Sequence, residues 1–230
     1  MPRVMDKLFR GINPYDGFNA AAYPTDFQGW NSDHPFLPHA IKLVRPQIII
    51  EVGVWKGRSV IQMADVCKSE GLGCEIIAVD TWLGSSEHIL GQQELYASMK
   101  VRHGRPDLYY TFLSNVLARG HQDVVTPLPM DSAGACVVLQ RHKVTAGIIH
   151  IDGAHQYEAA LQDIKSYWKL LAEDGLMIFD DYPHPSVTKA VNEFAASVGN
   201  PIYACGYKAV MSKGKRLRPK MQITALKWWT

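Results

Sequence analysis

HIDGAHQYEAALQDIKSYWKLLAEDGLMIFDDY, residues 150–182, reads as strand, acidic turn, helix, strand and acidic turn. The β-branched-rich run Ile148–Ile151 ends at Asp152-Gly153. Ala160, Leu161, Ile164, Trp168 and Leu171 then recur three or four apart and form one apolar helical face. Gly175 is placed as the helix stop, where a residue tolerant of positive φ is favoured. The apolar run Leu176–Phe179 follows and ends at Asp180-Asp181. A strand–helix–strand unit of this kind has parallel strands and a right-handed crossover. Asp152, Asp180 and Asp181 therefore meet at the carboxyl ends of neighbouring strands, the edge where open α/β sheets bind ligands. Three carboxylates there repel one another and call for a cation, a shared proton or a catalytic purpose.

Upstream, Gln47–Val54 is a short buried strand containing Glu51. Gly53-Val54-Trp55-Lys56-Gly57-Arg58-Ser59 turns the chain into a helical stretch. Gly53 allows a sharp turn, Gly57 is read as admitting a ligand close to the backbone, and Ser59 lies near the free N–H groups of the new helix. The next strand, Glu75–Val79, closes with Asp80, which lies 29 residues after Glu51, one strand–helix–strand period. An acid at that point is placed to accept from ribose hydroxyls. Together these residues form a nucleoside-binding half.

Between the halves, helices are expected over Gln92–Arg102 and Asp107–Arg119, the latter with Tyr110, Leu113 and Leu117 on one face. A third strand covers Val124–Leu128, and a helix follows over Ala133–His142. Asp131 and Ser132 in the intervening loop either pair with an exocyclic amine of the base or cap that helix. After Tyr182 come a helix over Val187–Ser197 and two strands, Ile202–Met211 and Met221–Trp228, joined by the basic tip SKGKRLRPK. Residues 1–40 are rich in turn signals yet carry Phe9, Tyr15, Phe18, Tyr23, Phe27, Trp30 and Phe36. A free tail is poor in rings. The segment is read as an apron or lid over a domain spanning 41–230, with Trp30, Asp33 and His34 facing the site as substrate wall, and Tyr182 beside it.

The 230 residues suit one well-cored domain. With 24 Lys+Arg against 22 Asp+Glu, there is no general charge case for nucleic acid or an acidic membrane surface. Cys67, Cys74, Cys136 and Cys205 lack metal or redox spacing and read as buried thiols in a reducing compartment. No apolar run reaches the roughly 20 residues of a membrane span, and the N-terminus lacks a signal-peptide core. A cytoplasmic enzyme acting on a small molecule is expected, with the aromatic N-terminal segment available to a homodimer.

The runs IIIEVGVWKGRSV, AVDTW, HIDGAHQYEAALQDI and GLMIFDDY resemble the class I S-adenosylmethionine-dependent methyltransferases. More narrowly they resemble the small-molecule O-methyltransferase branch that includes antibiotic-sugar enzymes. The resemblance spans roughly residues 28–200. It implies an α/β fold, a Rossmann-like doubly wound seven-stranded sheet in the order 3-2-1-4-5-7-6, with the last strand antiparallel and helices on both faces. It also implies S-adenosylmethionine over Glu51, Gly53, Gly57 and Ser59, with ribose on Asp80, the base beside Asp131 and Ser132, and Asp152 at the methyl end. Relatives with acids at the three strand-end positions hold a divalent cation, usually Mg²⁺, here on Asp152, Asp180 and Asp181. Catechol-type relatives have Asn as third ligand, so Asp181 follows the sugar-modifying group. Where those relatives place a lysine base, this chain has His155; Asp152 is the other candidate base.

The chemistry is consistent with that set. An alcohol must lose a proton to attack a sulfonium methyl, and a metal on hard oxygen ligands lowers its pKa. Two other readings remain open at the level of sequence. One keeps fold and cofactor without the metal, for an oxygen or nitrogen acceptor. The other is a non-catalytic nucleoside-binding or NAD-linked protein, against which Trp55 stands where a dinucleotide turn needs a second glycine.

Overall fold

The computed structural model describes residues 3–215. The chain runs α1 (Val4–Leu8), α2 (Phe36–Val44), β1 (Ile48–Val52), α3 (Arg58–Ser69), β2 (Glu75–Asp80), α4 (Ser86–Leu90), α5 (Gln93–Ala97) and α6 (Leu108–Ala118). It continues with β3 (Val125–Pro129), α7 (Ser132–Arg141), β4 (Ala146–Ile151), α8 (Tyr157–Tyr167), β5 (Leu171–Phe179), α9 (Pro185–Val198), β6 (Tyr203–Cys205) and β7 (Lys208–Ser212). The strands form one seven-stranded sheet in the order β3-β2-β1-β4-β5-β7-β6. β1 to β5 are mutually parallel, and β7 runs antiparallel to both β5 and β6. This is the expected Rossmann-like order.

Period-two alternation splits the core between two faces. Ile49, Ile76, Ile148, Leu176 and Val210 pack with Ile41 of α2, Met63 of α3 and Phe112 of α6. Ile50, Ile77, Ile149, Met177 and Met211 pack with Leu139 of α7, Ile164 of α8 and Val191 of α9. Helices thus cover both faces, and the loops at the carboxyl ends of the parallel strands are free to build a site. Phe36 and Leu37 of α2 are buried in the first of these layers, so that helix, which straddles residue 40, belongs to the core.

Several local expectations change. Gly175 is no helix stop. α8 ends at Tyr167, and Gly175 lies inside β5 together with Leu171. A Cβ there would stand 2.7 Å from Leu171 Cδ1 and 2.9 Å from the Gly147 carbonyl oxygen, so glycine admits the β4 backbone where the register shifts between Ala146 and Ile148. The strand expected over Ile202–Met211 is a hairpin, β6 and β7, because Gly206 takes positive φ (58°) between them. The second expected strand, Met221–Trp228, and most of the basic tip lie outside the described residues. The helix expected over Gln92–Arg102 shrinks to the short α5, with α4 an additional turn before it, and Lys100 at φ 51° follows. On α6, Tyr110 points outward while Phe112, Asn115 and Val116 are buried.

Candidate active site

At the carboxyl edge of the sheet a cavity of about 1090 Å³ opens between the β1–α3, β2–α4, β3–α7 and β4–α8 loops. Its size suits a drug-sized ligand with room for a second molecule. Gly53, Trp55, Ser59 and Asp80 line one end, Asp131, Ser132 and Asp163 another, and Asp152, His155 and Asp181 a third. Trp30 from the N-terminal segment closes one side, next to Trp55 (5.6 Å between ring centroids), and Trp55 stacks on His88 at 4.3 Å.

The glycine turn is held in place by Asp80. Val54 and Trp55 donate their backbone N–H groups to Asp80 Oδ2 at 2.7 and 2.9 Å, and Trp82 donates to Oδ1 at 2.7 Å. Trp55 and Trp82 sit at φ 55° and 52°, a left-handed conformation that costs a bulky residue about 1–2 kcal/mol. The carboxylate bonds and the Trp82 indole N–H donating to the Trp55 carbonyl at 2.8 Å hold both there. A carboxylate offers about four lone-pair positions, so Asp80 keeps one on Oδ1 for a ligand hydroxyl. Gly53 takes φ 82°, and a Cβ on it would lie 2.0 Å from the Asp152 carbonyl oxygen. That close approach brings the β1 and β4 turns together. Gly57 differs from expectation. It is the left-handed N-cap of α3, and its Cβ would meet the Phe112 ring at 2.6 Å. Its smallness accommodates the core rather than a ligand, and it does not line the cavity.

Behind the cavity runs a buried polar row that sheet register assembles. Glu51 pairs with His150 across β1 and β4. Ser59 Oγ donates to Glu51 Oε1 at 2.6 Å, and His150 Nδ1 lies 2.8 Å from the same oxygen. Lys208 Nζ lies 3.2 Å from His150 Nε2 and 2.6 Å from Asp180 Oδ2. An ammonium has only donors, so Nε2 accepts and Nδ1 carries the proton that it donates to Glu51. Glu51, His150 and Lys208 are each 0% exposed. Burial raises the Glu51 carboxyl to about 8 and lowers the His150 imidazole to about 3. Because Oε1 accepts from both Ser59 and His150, the carboxyl proton falls on Oε2, which is buried and has no hydrogen-bond partner among the described residues. Burial, followed by the Asp180 charge, also holds the Asp152 carboxyl well above its usual range.

His155 stands at the mouth. Its Nε2 is 3.0 Å from Asp181 Oδ2 and its Nδ1 is 3.2 Å from Glu87 Oε2 on α4. A carboxylate on each nitrogen favours the imidazolium, and the hydrogen bond with Asp181 is the main cause of its raised pKa. The same contact lowers Asp181. Asp181 itself sits at φ 46°, so the second acidic turn is strained toward this contact.

Of the residues expected around a cofactor, Gly53, Ser59, Asp80, Asp131, Ser132 and Asp152 line the cavity, while Glu51 and Gly57 lie behind it. Asp131 N-caps α7, accepting the Gly134 N–H at 2.8 Å, so the capping role and the cavity position coexist. Of the expected substrate wall only Trp30 lines the cavity. Asp33 pairs with Arg58, His34 accepts the Phe36 N–H, and Tyr182 donates to Asn192. The expected metal ligands are divided: Asp180 is paired with Lys208 and Asp181 with His155. The group whose ligand atoms converge within 4.8 Å, among the described residues, is Glu51, His150 and Asp152. Both ring nitrogens of His150 are already engaged, one of them facing an ammonium. As folded, neither set offers a divalent cation the open oxygen shell that it requires.

Glu87, Asp163 and Lys208 carry no motif in the sequence that marks them as part of the site. Asp163 sits on the apolar-patterned helix α8, where its polar position was the one available signal. It is buried, bonded with Ser132, and its carboxyl is raised by burial.

A family profile described as a methyltransferase domain matches residues 50–182, from β1 through the second acidic turn. Among curated proteins, the uncharacterized protein R132 of Acanthamoeba polyphaga mimivirus is 38% identical over 55 residues, 22% of this chain and 25% of that protein. Protein y4gI of Sinorhizobium fredii is 22% identical over 152 residues, 66% of this chain and 15% of that protein. The chain thus matches a quarter or less of the length of these relatives. Among solved structures, the fold is similar to the O-methyltransferase NovP (16% identity, TM-score 0.59, 80% of each chain). It is also similar to an O-methyltransferase from Bacillus cereus in complex with SAH (13%, TM-score 0.56, 94% of this chain and 92% of that one), and to the calicheamicin methyltransferase CalS11 (18%, TM-score 0.56, 78% and 77%). At these identities the likeness to the solved structures is one of fold. The profile match covers more than half of the chain, and the chain therefore belongs to the methyltransferase domain family, on the class I fold that its motifs resemble.

Proposed function

We propose that the protein transfers a methyl group from S-adenosylmethionine to a hydroxyl of a small molecule. The observation that carries this reading is one cavity that holds both halves of the chemistry, the Gly53–Asp80 turn and the His155–Asp181 pair. The turn suits the cofactor: Asp80 keeps a lone pair for a ribose hydroxyl, and Asp131, Ser132 and Asp163 offer oxygens near the base. When bound, S-adenosylmethionine supplies an electrophilic methyl on a sulfonium. The chain's own residues handle the acceptor. Asp181 holds the Nε2–H side of His155, and an acceptor hydroxyl takes the place of Glu87 at Nδ1, where the neutral ring receives its proton. A base oriented by a carboxylate is a recurrent arrangement for activating a hydroxyl. Trp30, Trp55 and His88 give an aromatic wall for a ring-shaped acceptor. A sugar hydroxyl is favoured over a phenolic diol because the solved neighbours include a TDP-rhamnose 3'-O-methyltransferase. The divalent cation is left out of this reading, since Asp180 and Asp181 already carry protein cations.

Calorimetry with S-adenosylhomocysteine and with NAD tests the cofactor. Binding of the first and none of the second is expected, with loss of affinity in Asp80→Ala. Binding of NAD alone would end the methyltransferase reading. Transfer of labelled methyl to a panel of deoxysugar nucleotides and catechols then identifies the acceptor class.

A further inference from the structure

We propose that Lys208 supplies, from within the chain, the positive charge that a divalent cation would supply at this acidic edge, so that Asp152, Asp180 and Asp181 bind no metal. The inference rests on reading that edge as the acceptor half of the site. Lys208 is the first residue of β7, the strand antiparallel to β5. The register that pairs Leu176 with Ser212 and Phe179 with Ala209 brings Lys208 opposite Asp180 one step further on. An antiparallel last strand thus delivers its first side chain to the edge where the parallel strands end. The side chain is fully buried. A lysine normally carries its head to water; here the head is fixed at 2.6 Å from Asp180 Oδ2 and 3.2 Å from His150 Nε2.

Both oxygens of Asp180 are then engaged. Its Oδ1 accepts the Asp181 N–H at 2.9 Å while Oδ2 holds the ammonium. Asp181 is held by His155 at 3.0 Å. A Mg²⁺-sized ion needs oxygen atoms at about 2.0–2.1 Å in octahedral array. On Asp180 such an ion would stand beside a fully buried ammonium, and like charges in a dry interior repel strongly. Lys208 does not line the cavity. It is a positioning residue: it fixes Asp180 and, through His150, Glu51, beneath the acceptor.

Mn²⁺ electron paramagnetic resonance on the full chain, with equimolar metal, tests this. The free-ion signal with wild type is expected to equal that with Asp180→Asn, and with Asp181→Asn at the partly exposed carboxylate. Lys208→Met, which removes the ammonium and leaves the acids, is expected to take up one further equivalent of Mn²⁺. Wild type binding one equivalent more than either asparagine variant would overturn the proposal. So would a folded Lys208→Met that binds no more than wild type; should that variant not fold, the asparagine comparison decides. Calorimetry with S-adenosylhomocysteine on the same samples reads the methyltransferase function separately. Its failure would sink that function and leave the metal comparison standing.

Discussion

His155 shows how far a single side chain is set by its neighbours. Its type and position, three residues after Asp152, suggest a base, yet both ring nitrogens face carboxylates, which favours the charged ring. To accept a proton it must first lose one and release Glu87, so its active form increases with pH. The Asp181 hydrogen bond is the largest cause raising it above the ordinary 6.5, with the Glu87 charge adding to it and burial opposing. An NMR titration of the His155 Cε1 proton is therefore expected to have a midpoint above 6.5 in wild type. It should move down in Glu87→Gln and further down in Asp181→Asn, and the acid limb of the methyl-transfer rate should follow the same order. A wild-type midpoint at or below 6.5, or no response to either variant, would remove His155 from the role of base. Asp80 shows the converse case. The residue expected to hold ribose spends most of its acceptor capacity on Val54, Trp55 and Trp82. Its first task is to shape the turn, and any ribose contact uses what remains.

At the scale of elements, β1, β4 and β7, and the residue that follows β5, each place one polar side chain on the same face near the carboxyl edge. Glu51, His150, Asp180 and Lys208 form the resulting buried row. Its titration couples to folding. Glu51 keeps its proton in the folded chain up to about 8, against an ordinary 4.5. Between those values the unfolded chain releases the proton first, so stability falls as pH rises. His150, pushed to about 3 from 6.5, has the opposite sign, but its contribution is complete above 6.5. Asp152 shares the direction of Glu51. From pH 6.5 to 8 the urea midpoint is therefore expected to fall, with Glu51 contributing up to about 2 kcal/mol. Glu51→Gln, which keeps the acceptor for Ser59 and His150, should flatten that slope; an unchanged slope would remove Glu51 as its source. The strand–turn–helix repeats made Gly53, Asp80, Asp152 and the sheet order legible in sequence, because each depends on residues within one unit. Lys208 was not legible, because its position depends on where a hairpin turns and on the register of an antiparallel partner. Glu87 was not, because the stretch after Trp82 breaks into helices of a single turn or so and its reach to His155 crosses the cavity. The role of Gly57 was not legible either, because the Phe112 ring that needs the space lies on α6, far along the chain.

Across the whole molecule, the N-terminal segment acts as a strap that carries one wall of the site. Val4 and Met5 donate their N–H groups to Glu75 at 2.8 and 3.0 Å, and Tyr15 donates its hydroxyl to the Val125 carbonyl at 3.1 Å. Nearer the cavity, Gln28 accepts the Trp55 indole N–H at 2.7 Å, and two residues before it Asp26 is the most heavily bonded anchor. Its backbone N–H donates to Asn115 Oδ1 at 2.9 Å, its carbonyl accepts from Asn115 Nδ2 at 2.7 Å, and its carboxylate meets Lys56 Nζ at 2.8 Å. The Lys56 side chain is 2% exposed, so removing its partner leaves a buried charge uncompensated, which is more disruptive than losing a surface pair. Asn115 also accepts no substitute easily, since its amide bridges Asp26 and the Lys56 carbonyl at 2.8 Å. Four residues after Asp26, Trp30 lies against Trp55. Removing the Asp26 carboxylate takes away the Lys56 pair and leaves the backbone bonds to Asn115 and the Gln28–Trp55 bond, so the wall should loosen while the sheet stays folded. Asp26→Ala is expected to make chymotrypsin cleave after Phe27 and Trp30 about tenfold faster, because cleavage follows the population of the opened segment when reclosing is fast. Mass spectrometry of the early fragments locates the cuts. S-adenosylhomocysteine should slow them if the strap closes over bound cofactor. Cuts spread equally through the loops between α3 and β2 would show global unfolding instead, and would refute the strap as a separately opening unit.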